Sequence, residues 1–559
     1  MRRQRLQPPR PPMNPNPSAS IHVLLACQVR LGGASLEKAA CPRGNHKEGG
    51  MSLTFVVAAA VCAAAPEVLP SGLRPEDVER RPYREYVRQC AELLIQHGTD
   101  RYGAVHRPLL MNILDVRTRD CPLDPLALDE PWRVTRRGRR GPAGGNLYAD
   151  QATLRAMLGL THVTGDRRFA EFAHRCMDDF MRNLVDERGL FWWGWHRHYD
   201  AHRDEKTGHE GNWHEIHVQQ AIWPELWDVN RDAVTRQIEA VWQWHVIDKQ
   251  TGEINRHADG QRGCDFAMSA GEILRAFAFL FARTRNPIWL DRARLVAQYH
   301  ASARHPETQL IPNRPNAGRE RFDGSHFDTS ITGLYCHSLL SAWLLSGETQ
   351  FRDQALAYLK AYGKYGYDAS SGRFWGSLLL DGTPERGPRV VDGYAQYEPR
   401  GHVDLWQPYV AGYEMPIATA YCYAWALLVT QDPELFPTAA RWAACIRREF
   451  PPRACEKDSW YRPYAESWAP HGTYAGLYGQ TISFFLCLHE ARRQAEHLQF
   501  ARAVAREAVS RLYYNGLFRG HPAKPYYESI DGVGHLLCAL LQLDQAMEGK
   551  PPSVGWENW

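Results

Sequence analysis

The chain of 559 residues has almost no excess charge of either sign. Against 66 Lys and Arg stand 63 Asp and Glu, a formal net charge of +3 at pH 7. No global field therefore calls for a nucleic acid or an anionic membrane as partner. The 13 cysteines never fall at CxxC spacing. Three precede residue 66, and Cys336, Cys422, Cys487 and Cys538 lie in apolar helical segments, which points to buried thiols over a disulfide framework. Convincing alternating strand patterns are few. The stretch His214-Glu215-Ile216-His217 is not a zincin HExxH, because its histidines are three apart with the glutamate between them. A metalloprotease reading fails on that spacing.

What is present is a large apolar and aromatic complement: 44% hydrophobic residues, with 19 Trp and 25 Tyr. Such aromatics line carbohydrate clefts, and equally serve as bulky core side chains with one polar atom. Residues 1–50 differ from the rest, being rich in Pro and Arg and without helical period, and read as an extension upstream of the true start. Met51 opens an apolar stretch followed by small residues, a candidate signal peptide over 51–65, although it lacks a positive n-region. That stretch is too short for a stable membrane span. Export to the periplasm or medium is the expectation, with residues 66–559 forming one catalytic domain.

From about residue 83 the chain reads as helix after helix. Ile273, Phe277, Leu280 and Phe281 fall at i, i+4, i+7 and i+8, one apolar face; Leu147, Leu154, Met157 and Leu158 make another. Apolar helices end in short polar turns carrying N-cap and N1 chemistry: Thr164-Gly165-Asp166, Val229-Asn230-Arg231-Asp232, Thr284-Arg285-Asn286-Pro287, Ser346-Gly347-Glu348 and Thr430-Gln431-Asp432-Pro433. They recur about sixty residues apart, the period of a helical hairpin plus a long loop. One longer gap holds Arg373 to His402, a Gly/Pro-rich insertion suited to a short hairpin or rim loop. The expected fold is all-α, an (α/α) toroid of six or seven helical hairpins with long loops at one end. An open solenoid would need polar capping repeats, which are not seen. Arg133, Arg136, Arg137, Arg139 and Arg140 form a basic loop that reads as a solvated linker or as a clamp for carboxylates.

Three fragments carry chemistry: Trp193-Gly194-Trp195-His196, Asn212-Trp213-His214-Glu215-Ile216-His217 and Asn255-Arg256-His257. Each alone is more ordinary as structure than as site, since most histidines are neither ligands nor bases. Together they supply two or three imidazole nitrogens and one carboxylate, a set suited to a first-row transition metal rather than calcium. His198, His214 and His217 rival His196 as ligand, and Glu210 rivals Glu215.

The order of these fragments resembles polysaccharide lyase family 2, the pectate lyases of helical-toroid fold. The matching residues are His196 in WGWH, Glu215 in WHEIH and Arg256-His257 in INRH, with the run Gly145-Asn146-Leu147-Tyr148-Ala149-Asp150-Gln151 resembling the family's first helix pair. The resemblance has detail over about residues 140 to 350. It implies β-elimination on polygalacturonate, a divalent metal (Mn, Ni or Co) on His196, Glu215 and His257, and Arg256 as the group that abstracts the C5 proton. Arg197, Trp195 and Tyr148 are the candidate substrate-binding residues, with Arg203 and Trp193 beside them. The chemistry has its own logic: the C5 proton lies α to a carboxylate, and a Lewis acid there stabilises the enediolate. Arginine, however, stays protonated in proteins. Arg256 therefore has two roles open, as base or as charge stabiliser beside a hydroxide or histidine base. No donor for departing O4 is nominated.

Two other readings compete. The nearest rivals are other toroid enzymes, an unsaturated glucuronyl hydrolase or a sugar 2-epimerase; a glycosidase would depend on paired carboxylates, with Asp150, Asp265, Asp404 or Glu414 as candidates, and would need no metal. Their rim loops are matched in look by His471-Gly472-Thr473-Tyr474 and by the segment from Lys524 to Gly532. A non-catalytic glycan binder would account for the aromatics but has no need of the Arg256-His257 pair.

Overall fold

A computed structural model describes residues 73–124, 142–194, 196–208, 214–216, 220–315, 326–387, 399–406, 414–452, 472–522 and 524–556. The proposed extension, the candidate signal peptide and the five arginines from Arg133 to Arg140 lie outside these. Fourteen helices are found among the described residues: α1 (Tyr83–His97), α2 (Leu147–Thr164), α3 (Arg167–Asn183), α4 (Trp223–Val229), α5 (Arg231–His245), α6 (Ala267–Thr284), α7 (Pro287–Ser302), α8 (Cys336–Ser346), α9 (Thr349–Tyr365), α10 (Pro416–Thr430), α11 (Phe436–Arg448), α12 (Ala475–Arg492), α13 (Ala495–Leu512) and α14 (Val533–Met547). The turns read from the sequence are where the helices break. The inner helices α2, α6, α8 and α10 end on a left-handed residue, Gly165, Arg285, Gly347 or Gln431, and the next residue caps the helix or 3-10 turn that follows. Asp166, Asn230, Asn286 and Glu348 each accept a backbone N–H in the first turn of α3, α5, α7 and α9.

The even-numbered helices form an inner ring. α6 packs on α8, and α10 on α12; α12 and α2 both pack on α14. α4 is short and is tied in by side chains. Arg155 of α2 meets Glu225 at 2.6 Å, and Trp227 stands edge-on to Phe279 of α6 at 5.8 Å. Closure comes from α1, which packs outside α14; Arg84 reaches Asp544 at 2.7 Å, and the Tyr83 N–H donates to the same carboxylate. The (α/α) toroid expected from the sequence is the observed fold, with seven hairpins among the described residues. Composition separates its two layers. From Ala267 to Leu280 every residue of α6 is buried, whereas α3 buries a single stripe: Phe169, Phe172, Ala173, Cys176, Met177, Phe180 and Met181.

Strands are two to four residues long and confined to the loops. The insertion after α9 opens with a hairpin, Tyr367–Asp368 against Arg373–Phe374, and Trp375 bridges back to His402. The nine described cysteines are all buried and free. No described helix is long and apolar enough to cross a membrane. Phe277 sits at the centre of one hairpin wall, its ring 5.8 Å from Trp242 and 5.7 Å from Trp289. Phe277→Ala is expected to lower stability by about 3–5 kcal/mol, read as a shift in the denaturant midpoint without loss of helical circular dichroism at low denaturant.

Candidate active site

The loops that enter the N-terminal ends of the inner helices are the long ones, and two of them build the site. After α5 the chain turns on Asp248, whose carboxylate accepts the N–H of Gln250 and Thr251, and returns with Ile254 bridged to Val246. Asn255 then fixes the next turn. Its side chain accepts the His257 N–H at 2.8 Å and donates to Asp259 and to the Gln261 carbonyl. The loop before α4 lies antiparallel to this strand. Glu215 is bridged to His257, the Ile216 N–H donates to the Arg256 carbonyl at 2.8 Å, and the Ala258 N–H to that of His214 at 3.0 Å. A carboxylate and an Arg-His pair 41 and 42 residues apart are thus held by main-chain bonds.

A third segment delivers His196. Asn146, which caps α2, also holds the carbonyls of Gly194 and Arg197 through its amide. The strand Arg197–Asp200 pairs with both Gly144–Gly145 and Glu205–Gly208. Gly208 has φ +119, and a Cβ there would fall 1.8 Å from the His196 carbonyl oxygen, so only glycine allows this approach.

All three segments converge on the Glu215 carboxylate, which is only 6% exposed. Oε1 pairs with the Arg256 guanidinium and lies 3.5 Å from His257 Nε2; Oε2 lies 3.1 Å from His196 Nε2. Arg256 also rests over the Phe266 ring at 5.2 Å. Behind Glu215 is a pocket whose wall includes Tyr148, Trp193, His214, Trp223 and Glu272. The donor types fit a first-row transition metal. Among the described residues, however, no group of three or more His, Cys, Asp and Glu side chains is arranged to hold an ion. His196, Glu215 and His257 meet around one carboxylate, with Arg256 on one of its oxygens.

His196, Glu215, Arg256 and His257 therefore come together. Tyr148 stands at the cavity wall, edge-on to Trp193 at 6.3 Å. Trp195, His217 and Glu210 lie outside the described residues. Arg197 corrects its expectation: it is 1% exposed, bonded to Asp186 at 2.8 Å and stacked 4.4 Å over Trp192, and so offers no surface to a polymer. Burying a guanidinium needs such a partner. Trp193 packs among Phe191 and Trp223, the core role. Arg203 is exposed, 3.9 Å from Asp200 and from Glu205.

Of the carboxylates nominated for a hydrolase, Asp150, Asp265 and Glu414 are buried and Asp404 is half-buried. Asp265 accepts the Tyr299 hydroxyl at 2.8 Å, and Glu414 accepts the Asp404 N–H at 2.9 Å. Asp150 is buried against Asn112 Nδ2 at 2.8 Å, and burial pushes its carboxyl up to about 8. Sequence reasoning missed Glu272, whose carboxyl burial raises to about 7; it accepts the Ala221 N–H just before α4. The signal was one acid inside the apolar run Ala267 to Phe281.

Residues 129–277 match the family model Pectate_lyase_2, described as periplasmic pectate lyase. That span contains all four converging residues, and the resemblance drawn from motif order holds over it. The pectate disaccharide-lyase of Dickeya dadantii (strain 3937) is 28% identical over 123 residues, 22% of this chain and 23% of that protein. The chain thus matches about a quarter of the length of that curated relative. Among solved structures, a family 76 glycoside hydrolase from a bovine Bacteroides thetaiotaomicron strain is 10% identical, with a TM-score of 0.44, over 83% of this chain and 78% of its own. The unsaturated glucuronyl hydrolase of Bacillus sp. GL1 is 12% identical, with a TM-score of 0.41, over 74% and 88%.

Asp150 yields a stability prediction. Its folded carboxyl binds a proton that the unfolded chain releases near pH 4, so its contribution is full below that pH and is lost as pH rises towards about 8. In Asp150→Asn this slope is expected to vanish, so the urea midpoint of the variant relative to the parent rises between pH 5 and pH 8. A constant difference across that range would show the carboxyl to be ionised.

Proposed function

We propose that this chain is a pectate lyase, metal-dependent, cleaving 4-linked polygalacturonate by β-elimination, in the periplasm or outside the cell. The observation that carries the reading is the convergence of His196, Arg256 and His257 on Glu215, inside the span that matches the pectate lyase family model. In this reaction the C5 proton is removed, its bonding pair forms the C4–C5 double bond, and the C4–O4 bond breaks with O4 taking a proton. The product is an unsaturated uronide. The difficult charge is the one that builds on the C6 carboxylate as C5 is deprotonated.

Arg256 is the catalytic residue in this reading. As found, its guanidinium sits on a carboxylate, the partner that suits a cation. That favours the charge-stabilising role at C6, with a hydroxide or a histidine taking the C5 proton, over the family's role as base, which would require it to leave Glu215 and lose a proton. His196, Glu215 and His257 are the residues that would hold the metal, which when bound supplies Lewis-acid stabilisation of the same carboxylate. Arg256 would have to share the Glu215 carboxylate with any metal held there. Tyr148 stands on the wall against which a sugar ring would lie.

The test is direct. Polygalacturonate is expected to yield ultraviolet-absorbing unsaturated product, a chelator to abolish the reaction, and Mn²⁺, Ni²⁺ or Co²⁺ to restore it. Arg256→Ala should lose on the order of 10²–10³-fold in kcat with the metal content kept; full turnover by that variant would sink the assignment. In His196→Ala and His257→Ala, bound metal should fall, and unchanged content by elemental analysis would remove both as ligands.

A further inference from the structure

His245 ends α5 and is fully buried. Its ring is held at both nitrogens: Nδ1 lies 2.9 Å from the Asn255 carbonyl oxygen, and Nε2 lies 2.8 Å from Nδ1 of His214. Its own carbonyl accepts the Asn255 N–H at 2.8 Å. A carbonyl oxygen only accepts, so His245 Nδ1 carries a proton. Burial keeps the ring neutral, its pKa depressed to about 3. Nε2 is then the accepting nitrogen, and the proton between the two rings belongs to His214 Nδ1. Donation runs one way, from His214 to His245 to Asn255. In a neutral His214 the lone pair is consequently on Nε2.

The two residues so joined flank the candidate site. His214 precedes Glu215 and lines the cavity; Asn255 precedes Arg256, and its side chain accepts the His257 N–H. We propose that His245 is a positioning residue of this site, tying the Glu215 strand to the Arg256–His257 strand and holding His214 in its Nδ1–H tautomer. This is the arrangement by which an outer imidazole orients an inner one. Its effect on turnover rests on the lyase reading above, whereas its effect on the tautomer does not.

Full-length protein labelled with ¹⁵N-histidine tests it, with His214→Gln and His245→Phe assigning the signals. Both rings are expected to show a protonated Nδ1 and a bare Nε2 at neutral pH. In His245→Phe the His214 signals should lose this pattern, and kcat on polygalacturonate should fall on the order of 10–100-fold with KM near its parent value. His245→Gln, whose amide oxygen accepts from His214 Nδ1, should restore the pattern and part of kcat. The proposal is overturned if His214 of the parent protein is protonated at Nε2, an outcome readable even if the phenylalanine variant does not fold, or if His245→Phe leaves the His214 signals unchanged. The expected tautomer in a protein that makes no unsaturated product would leave the tie standing and remove the lyase reading instead.

Discussion

Inner helices such as α6 and α10 are buried all round, and a helix of that kind is stable only when every side is covered. In α6 no turn from Ala267 to Leu280 reaches solvent, and α10 is buried from Pro416 to Leu427. Each must have inner neighbours on two flanks and an outer helix behind it. A row of such helices has two raw ends, and closing the row into a ring removes both without polar caps. The join is made by α1 from one end of the described chain and α14 from the other, fastened through Asp544. Ring closure also explains why the connections differ in length. Those passing outward at one end need only a left-handed residue and an N-cap; those re-entering at the other end are free to be long, and they hold the chemistry.

At that end a single buried carboxylate organises what surrounds it. Glu215 is nearly sealed from water, where a lone negative charge is expensive and is kept only with donors or cations against it. Arg256, His196 and His257 supply them from two segments, and main-chain bonds between the strands of Glu215 and His257 set the distances. The proposed lyase chemistry would draw on the same set of contacts.

The helical frame was legible because it follows from local rules. Asp166, Asn230, Asn286 and Glu348 cap helices wherever they stand, and the period of Ile273, Phe277 and Leu280 needs no tertiary knowledge. The site was legible in its order along the chain: His196, Glu215 and Arg256-His257 were named from three short fragments. Side-chain direction was not. Arg197 stands next to His196, yet its guanidinium turns inward to Asp186, and Trp193 joins the core rather than facing a sugar. Adjacent strand residues point to opposite faces, and which face is wet depends on what packs behind. Glu272 and His245 were missed for the complementary reason. Each sits in a helix whose pattern is accounted for by packing, and only its neighbours from other helices show it to be polar machinery.

The amino-acid sequence by itself therefore determined the secondary structure, the toroidal class and the identity of the residues that meet at Glu215, because capping, periodicity and motif order are properties of short stretches. The tertiary structure alone decided that Arg256 is paired with Glu215, that Arg197 and Asp150 are interior anchors, and that His245 bonds the two strands of the site. Those outcomes turn on burial and on contacts between residues far apart in the chain. The energy of a charge or a shared proton is set by what lies within a few ångströms of it, whichever part of the sequence supplies it.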